Sequence, residues 1–311
     1  MKRRVVLHGP STLTVSLPSD WVKKCGVKKG DEIDVLEEEK RLIIRAQVRE
    51  KECKKAQVDI GDIDKKTCRW LLSILYKQGY DEISVRYNSP EIVGMIEEVV
   101  RNHIMGFIVA EQYKDSCLLK CVSKEMKQEF NKSERRAFLV TLSLAEKSFE
   151  LINKGEYSRL KDLYQLEVSN NQLTNFCERL LNKDLIGEEG TSFKYIILWQ
   201  LEKIADEFVE IIDLLTENPV KIDAAILRLY EETKELLREY YDNYYKKELR
   251  KLKDIYDKKK EIIKFVKEKV NTKNSTTVLM VSHLLNITSK IAEMIPSTIA
   301  ANKAFEDGLN I

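Results

Sequence analysis

Val5-Val6-Leu7-His8-Gly9-Pro10-Ser11-Thr12-Leu13-Thr14-Val15-Ser16-Leu17-Pro18-Ser19-Asp20-Trp21, followed by Gly26-Val27-Lys28-Lys29-Gly30-Asp31-Glu32-Ile33 and closed by Leu42-Ile43-Ile44, sets the organisation of the whole chain. Val5–Leu7 reads as a strand and Gly9-Pro10 as a turn. Leu13, Val15 and Leu17 alternate with Thr14 and Ser16, as in a half-buried strand. Pro18 ends that strand, and Ser19 or Asp20 is placed to cap a helix that stops at Gly26. Glu32–Leu36 and Arg41–Arg45 complete the unit as a hairpin. Four short strands and one helix in fewer than fifty residues hold too little core to be stable alone. Pairing with a second copy supplies that core and covers the open edges.

Beyond this unit the hydrophobic period changes. Up to about residue 122 apolar residues alternate or form short runs, as in Ile83-Ser84-Val85 and Phe107-Ile108-Val109; after it they recur at the helical period. The chain therefore divides into 1–48, 50–124 and 127–311. The middle part is expected to run strand 56–60, helix 63–78, strand 82–87, helix 89–103, then strands 106–112 and 116–122. Gly79 ends the first helix. Ser89 is expected to cap the second, with Pro90 at its first position. The last part reads as helices 129–153, 157–183, 192–216, 220–244, 247–271 and 276–304, with breaks at Gly155, Gly187–Gly190, Pro219, Asn243 and Asn271–Ser275. Three helices, a proline-marked break and three more suggest a duplication, 127–218 and 219–311. Lys161-Asp162-Leu163-Tyr164 matches Lys253-Asp254-Ile255-Tyr256, and Leu201–Asp206 aligns with Leu285–Lys290. Residues 127–218 carry 12 basic against 17 acidic side chains and 219–311 carry 18 against 14, so the halves are expected to attract.

Composition narrows the functions. A net charge of +2 excludes a bulk polyanion-binding field, so any nucleic-acid surface is local. Six cysteines without a Cys-x-x-Cys pair read as reduced thiols in a cytoplasmic protein. No uninterrupted run of about 18 apolar residues suggests membrane insertion. No nucleophile setting, phosphate loop or zinc signature is present, so no catalytic residue is assigned and a metal-dependent enzyme is disfavoured. Glu202 and Asp206 lie four apart on one helix face, where like charges repel unless a metal ion or a lysine from another helix offsets them. His103 and His283 read as surface or packed residues. Tyr240, Tyr241, Tyr244 and Tyr245 read as packing between bundles.

The loop Gly9–Thr12, the run Val15–Trp21 and Gly26–Ile33 closely resemble the AbrB/MazE/SpoVT swapped-hairpin family over residues 2 to about 45. The resemblance implies an intertwined homodimer that binds duplex DNA. It places Arg3 and Arg4 on the first strand, the Gly9, Ser11 and Thr12 loop, and Lys23 and Lys24 toward the duplex. The loop has no arginine, and residues 1–50 carry 11 basic against 8 acidic side chains, so a purely dimerising module is the alternative. Leu201-Glu202-Lys203-Ile204-Ala205-Asp206-Glu207 and the helix count resemble the PhoU family. That resemblance implies a divalent metal or iron on Glu167, Glu202 and Asp206. Asn171, Asn286 and Lys290 stand where further carboxylates would, so a salt-bridged face stays open as the other reading.

The fold class expected is multidomain α+β: an N-terminal swapped-hairpin β-barrel, a small α/β middle domain and C-terminal all-α PhoU-like tandem three-helix bundles. Together the resemblances point to archaeal-type PhoU-related regulators with an AbrB-like head. They imply a dimeric DNA-binding transcriptional regulator of phosphate uptake, with a phosphate transporter or signalling protein as further partner. The alternative is a dimeric adaptor that acts by protein contact alone.

Overall fold

In unit one, residues Met1–Cys53, the polypeptide makes two separate antiparallel pairs, and in unit two, Lys54–Ile311, a mixed sheet and six long helices. The computed structural model describes residues 2–38, 41–46, 53–61, 63–89, 91–123, 129–183 and 190–302.

In the first unit β1 (Val5–His8) pairs with β2 (Thr12–Val15), with Val5 opposite Val15 and Leu7 opposite Leu13. The helix α1 (Ser19–Cys25) takes Pro18, not Ser19 or Asp20, as its N-cap, and the Val22 N–H donates to the Pro18 carbonyl at 2.9 Å. Proline fixes φ near the value a helix entry needs, and the cap uses its carbonyl rather than a side chain. Gly26 ends the helix at φ 64°, a left-handed conformation open to glycine. β3 (Ile33–Glu38) pairs with β4 (Arg41–Ala46).

The expected barrel is not formed; both sheets are open. No described residue of this unit is buried, and Leu13 is 67% and Leu42 66% exposed. The half-burial expected for Leu13 and Val15 is therefore absent in the single chain. The apolar face of a two-stranded ribbon needs a facing layer, and none of the described residues of this unit supplies one.

In the second unit β5 (Lys55–Asp59), α2 (Lys65–Lys77), β6 (Glu82–Arg86), α3 (Ile92–His103), β7 (Phe107–Gln112) and β8 (Ser116–Cys121) form a sheet of order β5-β6-β8-β7. β5 and β6 are parallel through the α2 crossover, and the other pairs are antiparallel. Asp64 caps α2 by accepting from the Lys66 and Thr67 N–H groups at 2.9 and 3.1 Å. The helix α3 starts at Ile92, later than expected. Ser89 Oγ accepts from the Glu91 N–H at 3.4 Å, and Pro90 lies outside the described residues. Cys68, Leu72 and Tyr76 of α2 meet Ile83, Val85, Ile96 and Leu119 in a core of their own.

The helices are α4 (Phe130–Lys154), α5 (Tyr164–Lys183), α6 (Thr191–Glu217), α7 (Ala224–Lys246), α8 (Leu249–Lys269) and α9 (Ser275–Ala301). A 3-10 segment, Tyr157–Leu163, precedes α5 where one continuous helix was expected. Its counterpart in α8 is regular, so the Lys161–Tyr164 and Lys253–Tyr256 match does not extend to conformation. The expected break at Gly187–Glu189 and the residues past 302 lie outside the described residues.

One continuous core runs through all six helices. Ile204, Phe208 and Ile211 of α6 belong to it with Leu284, Ile287 and Ile291 of α9. The two halves thus join through apolar surface, with ion pairs of the expected sign beside it, Arg238 to Glu146 and Lys290 to Glu207. Phe138 of α4 sits among the rings of Tyr240, Tyr241, Tyr244 and Tyr245, at centroid distances of 5.1 to 6.2 Å. By length and composition α9 could cross a membrane, with hydropathy 1.2. It instead buries Met280, Leu284, Ile287, Ile291 and Met294 in the helical core.

Candidate functional site

The α/β layer and the helices meet where helix ends need partners. The last four carbonyls of any helix lack intrahelical donors. The helix α5 supplies them. Arg179 Nη1 donates to the Tyr76 and Tyr80 carbonyls at 2.8 and 2.6 Å, and Asn182 Nδ2 to that of Lys77 at 2.9 Å. For α3, Gln172 Nε2 reaches the Arg101 carbonyl at 2.6 Å and Asn175 Nδ2 that of His103 at 3.0 Å. Gly79 keeps this approach close: a Cβ there would meet Lys183 Cβ at 3.2 Å, and φ is +82°.

Docking in this register drives Lys77, the last residue of α2, into the seam between α5 and α6. It is 6% exposed. Its Nζ lies 2.8 Å from Glu178 Oε2 and 3.6 Å from Glu202 Oε2. On α6, Lys203 Nζ lies 2.8 Å from Asp206 Oδ2 and 3.4 Å from Glu202 Oε1. Glu167 of α5 accepts a hydrogen bond from Asn171 Nδ2. Lys77, Glu167, Asn171, Glu202, Lys203 and Asp206 border a cavity of about 310 Å³ that Arg69, Trp70 and Trp199 also line. The two tryptophans are 54% and 44% exposed.

Burial sets the electrostatics. It raises the Glu178 carboxyl to about 7, against the opposing Lys77 ammonium. Burial also raises Glu167, with Asp206 as the next cause, and raises Asp206 although Lys203 pulls the other way. His103 is pushed down to about 4 by burial and then by Arg69.

The structure places Glu167, Glu202 and Asp206 around one cavity, among cations. Among the described residues no group of three or more His, Cys, Asp or Glu is placed to hold a metal ion. A metal fits poorly on a face where two ammonium groups already sit against the carboxylates. Sequence reading missed Glu178 and Lys77. Glu178 lies eleven residues after Glu167, three helical turns along the same face, so the period could have revealed it. Lys77 belongs to another layer, and nothing local announces it.

The opposite side of α6 repeats the theme. Glu207 accepts from His283 at 2.7 Å, from Lys290 at 3.1 Å and from Asn286 at 3.4 Å, so His283 is a paired residue rather than a merely packed one.

In the N-terminal unit Arg3 and Arg4 are exposed and precede β1 rather than lie on it. Gly9 and Ser11 form the exposed β1–β2 turn, which Thr12 closes opposite His8. Lys23 and Lys24 are exposed in the last turn of α1.

Residues 8–52 match the family model described as antidote-toxin recognition MazE, bacterial antitoxin. No curated protein sequence matches the chain. The crystal structure of the phosphate transport system regulatory protein PhoU from Streptococcus pneumoniae is similar at 16% identity and a TM-score of 0.45, covering 59% of this chain and 96% of that one. The chain is thus similar to MazE antitoxins at its N-terminus and, over more than half its length, to a PhoU structure.

Proposed function

We propose that the protein is a non-enzymatic, cytoplasmic, dimeric regulator of phosphate-responsive genes, whose N-terminal unit binds duplex DNA and whose helices respond to a phosphate transporter or signalling partner. The carrying observation is a MazE-type segment, residues 8–52, whose exposed Gly9–Thr12 turn presents donors beside an apolar face that needs a second copy, with the exposed Arg3 and Arg4 just ahead of that segment. Arginine gives phosphate and guanine contacts, and Ser11 and Thr12 suit phosphate oxygens. Anisotropy titration of a labelled duplex across salt concentrations tests this. The double variant Arg3→Ala, Arg4→Ala should weaken binding and flatten the plot of log affinity against log salt by about two. Unchanged affinity and slope would discard the duplex reading.

A second reading keeps the same dimer without DNA. The matched family is described by toxin recognition, so the exposed apolar strands β1 and β2 also suit a protein ligand. Binding that stays weak and identical to that of an unrelated basic protein favours it.

A further inference from the structure

We infer that Lys77 is a tethered cation that fills the carboxylate face between α5 and α6, so that the α/β layer supplies from within the chain the positive charge a divalent ion would otherwise bring. Glu167, Glu202 and Asp206, from two adjacent helices, line one cavity, and Lys77 lies between Glu202 and Glu178. Carboxylates are the ligands a hard divalent cation takes, although among the described residues no three of these groups are placed to hold one. The ammonium of Lys77 is buried between two of them, at 2.8 Å from Glu178 and 3.6 Å from Glu202. Lys203 meets Glu202 Oε1 and Asp206 Oδ2. Glu202 Oε2 is buried and accepts no hydrogen bond among the described residues, so the face keeps unused acceptor capacity.

Across α6 the same substitution occurs. Lys290 stands at the place aligned with Asp206 in the second half of the chain, and it pairs with Glu207 at 3.1 Å. A lysine thus meets a carboxylate of α6 on both flanks of that helix. On the first flank the lysine comes from a different layer, so the neutralising charge and the docking of that layer are one interaction. This inference is independent of DNA binding.

The test is titration of the chelator-treated full chain with MnCl2 by calorimetry. Wild type should show no saturable site. Lys77→Met combined with Glu178→Gln removes both members of the buried pair, which protects the fold. It should gain one Mn²⁺ site at least tenfold tighter than any wild-type binding, and adding Glu202→Gln should remove it. Lys203→Met, at a partly exposed position, should show a weaker gain in the same direction. A wild-type Mn²⁺ site that Glu202→Gln abolishes would overturn the inference. So would the absence of any gain in Lys203→Met and in the double variant with native circular dichroism.

Discussion

Arg179 Nη2, on a side chain with no exposed surface, donates to Asp81 Oδ1 at 2.7 Å. This bond ties α5 to the start of β6, and Lys183 reaches the same oxygen. Burial raises the Asp81 carboxyl. The hydrogen bonds from Lys183 and the Lys54 N–H and the charges of Lys183 and Arg179 lower it more, so the net direction is down. A depressed carboxylate stabilises the fold above its unfolded value, about 3.9, and that contribution fades as pH falls through the folded value. Asp81→Asn should therefore cost about 2 kcal/mol at pH 7 in urea unfolding. The gap from wild type should close below about pH 4. A gap that persists unchanged at low pH contradicts the assignment.

Glu134 on α4 is buried, and burial raises its carboxyl although Tyr244 donates to it at 2.8 Å and Lys194 lies nearby. A raised carboxyl has the opposite sign. Stability is complete below the unfolded value, about 4.3, and declines as pH rises through the folded one. Glu134→Gln keeps an acceptor for Tyr244 without the buried charge. It should melt later than wild type at pH 8, by about 1 kcal/mol or more, and equally at pH 4. Lower stability at pH 8 would show that the carboxylate is needed charged.

Leu13 faces Leu7 across the β1–β2 ribbon, and both are exposed in the single chain. An aspartate at residue 13 puts a charge in the face that a second copy is proposed to cover. Leu13→Asp should convert a dimer to a monomer by light scattering, while the melting of Lys54–Ile311 stays unchanged. A dimer that survives this change is held together elsewhere.

Gly79 tests the close approach of α5 to the end of α2. Gly79→Ala combines a positive φ with a contact to Lys183, and should cost about 1–2 kcal/mol in the same urea titration. A neutral result would mean that the seam relaxes.

Periodicity fixed the helices well. The expected 192–216 is Thr191–Glu217, and the expected 129–153 is Phe130–Lys154. Their apolar stripes and bordering glycines are local signals, legible without tertiary knowledge. Pairing of Glu202 and Asp206 on one face was equally legible, because four residues make about one turn. The cation that meets them was not. Lys77 is separated from Glu202 by β6, α3, β7, β8, α4 and α5, and only docking of the α2 terminus onto α5 unites them. Asn170 shows the same limit: it is fully buried, donating to Thr141 Oγ1 at 2.7 Å, a polar core contact that binary patterning does not anticipate. The N-terminal unit erred in the other direction. Its alternation correctly gave strands, yet alternation says which face wants cover, not whether one chain provides it.

That bare N-terminal face makes the two units different kinds of thermodynamic object. The unit from Lys54 onward carries its own cores, so its folding does not wait on a second copy. The unit before it has no buried residue among those described. Its folded fraction obeys mass action, rising with the concentration of whatever covers it. Dilution alone should then melt one end of the molecule while the other end stays intact, which makes cellular abundance itself an input that the chain can register.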